Sequence, residues 1–230
     1  MAEAPCGRTD CPIVGPGDID RRALRVTTLP AGTERFRATK LVHGETTFAP
    51  EGVGSGRFSP LVAREHAYVA EQRSAALLES VFHEAAGPNP RIYRAQLARY
   101  AMLRVRFADE LRLLDVRDPA LAALGLERGQ LTGADALHYR CTQRVAERLA
   151  GTKSAHGLVW TSRQGVMHAA RNPDGLASEV LRHQNLDVAV VFRPDYGGRV
   201  KVVDQNGLMT HSEPSRFVLE LANLLRIAVL

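Results

Sequence analysis

Cysteine is scarce in this chain of 230 residues, which has only Cys6, Cys11 and Cys141. Structural zinc sites use about four ligands at short, recognisable spacings, and the sequence completes no such set. A disulfide between Cys6 and Cys11 is left open, although three thiols in a cytoplasmic chain favour the reduced form. The sequence therefore predicts no metal site.

Long apolar runs are also lacking, and none approaches the ~20 residues that a membrane-spanning helix needs. The N-terminal segment MAEAPCGRTD has no basic patch followed by an apolar stretch, so it does not resemble a signal peptide. The hydrophobic fraction of 45% and charged fraction of 24% are typical of a globular protein with a buried core. We expect a cytoplasmic protein without membrane contact.

Several motifs of common enzyme classes are missing. There is no Gly-x-Ser-x-Gly elbow, no Gly-x4-Gly-Lys-Ser/Thr loop, and no Gly-x-Gly-x2-Gly between a strand and a helix. Glu79 and His83 have the spacing of half a metal site, but no second cluster completes it. A net charge of +5 alone suggests nucleic-acid binding, and no motif supports that interpretation.

The pattern along the chain predicts an N-terminal arm (1–32) and one domain (33–230). Hairpin-like strands mixed with helices, without strict alternation, favour an α+β fold with mixed or antiparallel sheets and flanking helices. An entry loop is expected at the end of the arm, and a hairpin across 193–198 is expected between the last two long strands. The predicted strands are 35–42, 66–70, 100–107, 111–116, 156–162, 186–192 and 198–205, and the predicted helices are 71–85, 134–151 and 213–230.

Four residues of this pattern could carry chemistry. Glu79 lies on the flank of an apolar helical face, where partial burial strengthens a carboxylate's interactions with a ligand. Arg57 follows two glycines, which let a backbone approach a ligand closely, and an arginine fork matches phosphate oxygens. Each residue also has an ordinary interpretation: Glu79 as a rim acid paired with Arg73 or a nearby arginine, Arg57 as an exposed turn residue, Tyr68 as a core ring, and Ser162 as a serine bonded to backbone.

Five segments in this order resemble the RES-domain family, which takes its name from an arginine, a glutamate and a serine. These three match Arg57, Glu79 and Ser162, and the resemblance covers roughly residues 33–206. The segments are RFR (35–37), GRF (56–58), AYVAE (67–71), ALLESVFHE (76–84) and GLVWTS (157–162).

The resemblance implies a fold similar to ADP-ribosyltransferases and an enzyme that consumes NAD⁺ without a metal. The reaction would be cleavage of the nicotinamide–ribose bond by an NAD⁺ phosphorylase or glycohydrolase, or ADP-ribosylation of a protein target. By resemblance, Glu79 is the catalytic carboxylate, Arg37 and Arg57 bind the pyrophosphate, Tyr68 stacks near the nicotinamide or its ribose, and Ser162 holds the nicotinamide end. The family also implies a toxin that is paired with an Xre-like antitoxin.

The residue types suit that chemistry independently of the resemblance. A fixed carboxylate stabilises the positive charge that develops on the ribose, and forked arginines bind a pyrophosphate. A protein that binds a nucleotide without catalysis remains an alternative. The apolar last helix (213–230) is either a core helix or a surface for a homodimer or an antitoxin.

Overall fold

A computed structural model of the chain describes residues 11, 22–43, 48–49, 56–59, 65–83, 85, 89–123, 126, 131, 138–162, 186–193 and 195–230. Over these residues the predicted α+β class is confirmed, since one mixed sheet carries helices against it. The start of the predicted helix 134–151, residues 134–137, lies outside the described residues, as does most of the predicted arm.

The elements alternate irregularly along the chain. The strands are β1 (Arg25–Leu29), β2 (Glu34–Lys40), β3 (His66–Ala70), β4 (Arg91–Ile92), β5 (Tyr100–Phe107), β6 (Leu111–Asp115), β7 (Gly157–Thr161), β8 (Asp187–Phe192), β9 (Val200–Gly207), β10 (Met209–Thr210), β11 (Glu213–Pro214) and β12 (Ala228–Val229). The helices are α1 (Arg73–Glu79), α2 (Arg94–Leu97), α3 (Asp118–Ala123), α4 (Tyr139–Leu149) and α5 (Arg216–Leu224).

The main sheet has eight strands in the order β1-β6-β7-β8-β3-β2-β5-β9. Its neighbours are antiparallel except β6 and β7, which run parallel. Both faces bury apolar side chains, because side chains of a strand alternate between faces. One face packs with α1, α4 and α5 through residues such as Leu77, Val145 and Val218. The other face buries a second cluster that includes Leu103, Leu113 and Val191.

Strands β2 and β3 separate soon after they meet. They share a single register pair, Phe36 with Ala70, whereas β2 pairs with β5 along its whole length. At the far end of β3, His66 bridges to Ala49 instead of to β2. The separation leaves β3 main-chain groups available to side chains, which matters for the candidate site below.

The predicted hairpin across 193–198 is wrong. Strand β8 pairs with β3 and β7, while β9 pairs with β5 at the edge of the sheet. Burial explains the difference, because DVAVVF is buried in all but its first residue and needs strands on both sides. Strand β9 is mostly exposed, as befits an edge strand.

Both termini of the described chain differ from the prediction. The expected entry loop contains β1, which pairs with β6 from Arg25 to Leu29. Since β1 lies within the range assigned to the arm, the division at residue 32 stays a prediction. The predicted last helix ends at Leu224, and β12 then pairs in parallel with β4. Val218 and Leu221 of α5 are buried in the first core cluster, which favours the core interpretation of this helix.

The predicted helix 71–85 is shorter than expected. It ends at Glu79, because Ser80 leaves helical geometry with φ −122° and ψ −73°. The Ser80 hydroxyl donates back to the carbonyl of Ala76, an alternative to helix continuation that serine often adopts. Val81 and Phe82 are nevertheless buried, as the apolar pattern predicted. Within the described residues, no helix has the length and apolar character to cross a membrane.

Gly157 fixes the approach of β7 to β8. A Cβ at this position would lie 1.9 Å from the Val190 carbonyl oxygen, a backbone atom that cannot move aside. We expect Gly157→Ala to lower the free energy of unfolding by at least about 2 kcal/mol, measured by urea denaturation. Gly197→Ala is the matched control, because a Cβ there would have no neighbour within 4 Å among the described residues. Equal stability of the two variants would contradict this reading of the β7–β8 contact.

Candidate active site

The acid and the serine of the sequence pattern are in direct contact. Ser162 follows the last residue of β7, is 0% exposed, and its main-chain N–H donates to the carbonyl of Leu186. Its hydroxyl donates to Glu79 Oε1 at 2.6 Å. Glu79 is half-buried at the C-terminal end of α1. A carboxylate fixed by a buried donor and still partly accessible is suited to meet a ligand.

The two residues that the sequence pattern associates with Glu79 have other contacts in the structure. Arg73, the expected partner of a rim acid, lies over the ring of Phe217 at 4.7 Å. His83, expected one helical turn after Glu79, lies beyond the helix end, and its Nε2 is 3.1 Å from the Tyr139 hydroxyl. Glu79 and His83 therefore do not form the half metal site that their spacing suggested.

Tyr68 links the strand β3 to the segment 56–59. Its hydroxyl accepts a hydrogen bond from the Phe58 N–H at 2.8 Å and lies 3.4 Å from Ser59 Oγ. Burial raises the pKa of Tyr68, while the charge of Arg57 lowers it and that of Glu79 raises it. The phenol is therefore neutral at physiological pH and lies within electrostatic reach of both charged residues.

Gly56 makes the approach of this segment to Tyr68 feasible. A Cβ at Gly56 would lie 2.7 Å from the Tyr68 hydroxyl oxygen and 3.0 Å from Ser59 Oγ. Glycine at this position therefore lets the backbone approach the Tyr68 side chain closely, whereas the sequence analysis expected approach to a ligand.

Arg57 packs against the first turn of helix α4. Its guanidinium carbon lies 4.8 Å from the centroid of the Tyr139 ring, a cation–π distance. Its Nη1 is 3.4 Å from the carbonyl oxygen of Leu131, a long hydrogen bond. The side chain is half-buried, so the arginine is neither a fully exposed turn residue nor sealed in the core.

Two buried polar side chains of α4 were not predicted as part of the site. Thr142 Oγ1 donates to the Arg57 carbonyl at 2.6 Å, and Gln143 Nε2 donates to the Gly56 carbonyl at 2.9 Å. Both are buried, and a buried hydroxyl or amide needs such a partner. The sequence could have indicated their burial, because helical spacing places both on the same side of the helix as the apolar residues Val145 and Ala146.

An aromatic cluster backs the site. The rings of Phe58 and Trp160 lie 4.8 Å apart, and those of Tyr68 and Trp160 lie 5.8 Å apart, nearly edge to face. Trp160 and Ser162 are two residues apart on one chain segment, so they point to the same side of the sheet. The cluster therefore fixes Tyr68 relative to the Ser162–Glu79 pair.

Arg37 lies at the separation of β2 and β3. It is 8% exposed, and its Nη1 donates to the main-chain carbonyl of Tyr68 at 3.3 Å. Its Nε is buried without a hydrogen-bond partner among the described residues. Burial lowers the pKa of Arg37 to about 10, so the side chain remains charged at neutral pH.

The structure thus brings Arg57, Tyr68, Glu79 and Ser162 into one connected group. Arg37 joins this group through the main chain of Tyr68. Its strand neighbours Phe36 and Ala38 pack with the helix-covered core cluster, so the Arg37 side chain leaves β2 on the opposite side. The roles of these residues stay predictions.

A separate cleft of about 640 Å³ opens beside α5 and the edge of the sheet. It is lined by residues of β5, β9 and α5, among them Arg104, Asp204 and Phe217. None of the four connected residues lines it. Within the described part of the chain, this cleft is therefore distinct from the candidate site.

Comparison with known proteins supports one family and one fold. The family model described as RES domain matches residues 31–198. A chain of the solved structure "Crystal structure of the M.tuberculosis MbcT-MbcA toxin-antitoxin complex" has a TM-score of 0.55 and 19% sequence identity, with 83% of this chain and 91% of that chain covered. No curated protein matches the sequence significantly.

Proposed function

Because the chain belongs to the RES domain family, we propose that it consumes NAD⁺ by cleaving the nicotinamide–ribose bond. Phosphate or water would be the acceptor, which makes the enzyme an NAD⁺ phosphorylase or glycohydrolase. The observation that carries the proposal is the Glu79 carboxylate, held at 2.6 Å by the buried Ser162 hydroxyl next to Tyr68 and Arg57.

The carboxylate has the charge that this reaction requires. When the C–N bond breaks, its electron pair leaves with neutral nicotinamide, and positive charge develops on the ribose as an oxocarbenium-like transition state. A preorganised negative charge stabilises that transition state more than the ground state. The acceptor oxygen then bonds to the ribose carbon and gives up its proton to solvent or to a base.

The two arginines are suited to the pyrophosphate of NAD⁺. Arg57 is held on Tyr139 and by α4, which lowers the cost of ordering its guanidinium. Arg37 has a buried Nε with no partner among the described residues, and a buried donor of this kind is costly unless an acceptor is supplied. We assign Arg57 to binding of the pyrophosphate and Glu79 to stabilisation of the charged transition state. Arg37 leaves β2 on the side opposite to Tyr68, so its assignment to the pyrophosphate requires its guanidinium to reach the ligand through the gap where β2 and β3 separate.

Tyr68 and Ser162 hold the reacting end in this proposal. The Tyr68 hydroxyl is engaged by Phe58 N–H, so its ring is the part left to contact nicotinamide or ribose. Ser162 positions Glu79 through its donated hydrogen bond, and it is also assigned to the nicotinamide end. Neither assignment requires a metal.

We also propose that the chain is the toxin of a toxin–antitoxin pair. The similar fold is that of a chain in the solved MbcT-MbcA toxin-antitoxin complex. A partner of Xre-like helix-turn-helix type would inhibit the enzyme. Expression of the chain alone should arrest bacterial growth, and Glu79→Gln should remove that arrest.

Ser162→Ala removes the hydroxyl that fixes Glu79. Hydrogen bonds to charged groups contribute about 1.5–3 kcal/mol, so we expect kcat/KM for NAD⁺ to fall about tenfold to a hundredfold. Ser212→Ala is the control, because Ser212 is an exposed turn residue outside the candidate site. Unchanged kinetics in Ser162→Ala, with folding intact by circular dichroism, would remove the positioning role.

Product analysis tests the proposed reaction and its acceptor. Purified protein, free of antitoxin, is incubated with NAD⁺ with and without phosphate, and the products are identified by mass spectrometry. ADP-ribose phosphate formed only with phosphate identifies a phosphorylase, and free ADP-ribose identifies a glycohydrolase. Mass added to a target protein in a lysate identifies an ADP-ribosyltransferase. NAD⁺ that binds by calorimetry but is not consumed under any of these conditions contradicts the proposed activity and leaves a nucleotide-binding protein.

A further inference from the structure

Three buried side chains with metal-binding atoms meet at the start of helix α4. Cys11 Sγ lies 3.7 Å from His138 Nδ1 and 3.7 Å from Cys141 Sγ. The three ligand atoms all lie within 4.8 Å of one another, and all three residues are buried. Cys11 is separated by 127 residues from His138 and by 130 residues from Cys141, so folding alone brings them together.

The spacing of these atoms matches a shared metal ion better than a disulfide. Two thiolates bound to one tetrahedral zinc at about 2.3 Å lie about 3.8 Å apart, close to the 3.7 Å found between Cys11 and Cys141. A disulfide would need its sulfurs at about 2.05 Å, much closer than the Cys11 and Cys141 sulfurs are to each other.

Helix geometry explains how His138 and Cys141 come to face one ligand. His138 is the N-cap residue of α4 and Cys141 lies three positions later, a spacing that puts two side chains on the same helix face. Cys11 contacts that face from the N-terminal segment. The arrangement places two soft sulfur ligands and one imidazole around a common point, a donor set that selects zinc among the common divalent metals.

Burial separates this cluster from ordinary cysteines. Free cysteine is often buried as a small apolar side chain, and that accounts for either thiol alone. It does not account for a histidine that is 4% exposed and within ligand distance of two thiols. A Zn²⁺ ion bound by two thiolates and one neutral imidazole would form a centre with no net charge, which suits a buried position.

We propose that Cys11, His138 and Cys141 bind a structural Zn²⁺ ion that ties the N-terminal segment to helix α4. Structural zinc is four-coordinate, so these three side chains leave one coordination position for a further ligand.

The ion would act on the candidate active site through α4. The same first turns of the helix carry Tyr139 under Arg57, Thr142 on the Arg57 carbonyl and Gln143 on the Gly56 carbonyl. A metal that fixes the N-terminus of α4 would therefore also fix the helix residues that contact segment 56–59. This role is structural, so the site is expected whether or not the protein consumes NAD⁺.

Zinc content of the intact protein tests the proposal. Protein expressed in zinc-supplemented medium and freed of loose metal by gel filtration is analysed by plasma mass spectrometry, with one zinc ion per chain expected. Replacement by Co²⁺ should produce the thiolate-to-cobalt charge-transfer band and the intense visible bands of tetrahedral coordination. Cys141→Ser and His138→Asn should lose the zinc and lower the Tm. His211→Asn, at an exposed residue far along the chain, should keep both at wild-type values.

Two results would overturn the proposal. One is folded wild-type protein that contains no zinc and takes up neither Zn²⁺ nor Co²⁺ on titration. The other is a disulfide between Cys11 and Cys141 in peptides from unreduced protein. If the ligand variants fail to fold, the zinc content and cobalt spectrum of the wild type decide the matter alone.

Discussion

Glu79→Gln is expected to lower the rate of NAD⁺ cleavage by at least about a hundredfold, the usual effect of removing a preorganised transition-state charge. Glutamine keeps nearly the same shape and can still accept the Ser162 hydrogen bond, so only the charge is removed. The reason for the large effect is that Glu79 opposes the positive charge that forms on the ribose. Initial rates at saturating NAD⁺, followed by nicotinamide release, measure it.

Glu220→Gln is the matched control for this variant. Glu220 is an exposed carboxylate on a helix and pairs with Arg216 one turn away. Its removal should leave turnover at the wild-type value. Glu79→Gln with wild-type turnover would be incompatible with the catalytic role of the carboxylate, provided that its thermal unfolding matches the wild type.

Arg57→Lys is expected to raise KM for NAD⁺ about tenfold to a hundredfold, since charge-assisted hydrogen bonds contribute about 1.5–3 kcal/mol. Lysine keeps the positive charge but loses the planar fork and the stacking of Arg57 on Tyr139. Because the arginine is assigned to binding, kcat should change less than KM. Steady-state kinetics separates the two parameters.

Arg216→Lys serves as the control for the arginine variant. Arg216 has a side chain that is 93% exposed and contacts Glu220 on the same helix. Neither kinetic parameter should change. A wild-type KM in Arg57→Lys would contradict the assignment of Arg57 to the pyrophosphate.

The places of Glu79, Ser162 and Tyr68 in the fold could be predicted because each lies in or beside a short regular element, while their proposed roles came from the family resemblance. Tyr68 is in a five-residue strand that the alternating pattern identifies, and Ser162 follows an apolar strand. The pattern also gave the apolar face of α1. It did not give the helix end at Glu79, because Ser80 bonds to its own helix in place of extending it.

Contacts between distant segments were beyond the reach of the sequence pattern. The apolar strands β8 and β9 flank a turn-rich segment, which predicts a hairpin, but each finds its partners elsewhere in the sheet. Thr142 and Gln143 look like polar interruptions of a helix until they are seen to hold segment 56–59. Strand partners and side-chain contacts of this kind depend on which surfaces are buried in the folded protein, and local sequence propensity carries no information about that burial.

The three-residue cluster at α4 was missed for the same reason. Cys11 and Cys141 stand 130 residues apart, so no spacing rule connects them. The local signal was present in the sequence as His138-x2-Cys141. The cluster becomes visible only when the fold brings Cys11 next to His138 and Cys141, whereas the prediction of no metal considered each cysteine by itself.

The most direct test of the central claim is release of nicotinamide from NAD⁺ by the purified chain. NAD⁺ labelled in the nicotinamide ring is incubated with wild-type protein and with Glu79→Gln in phosphate buffer, and free nicotinamide is quantified by chromatography. The proposed function predicts stoichiometric release by the wild type and almost none by the variant. Intact NAD⁺ after prolonged incubation with folded wild-type protein would contradict it.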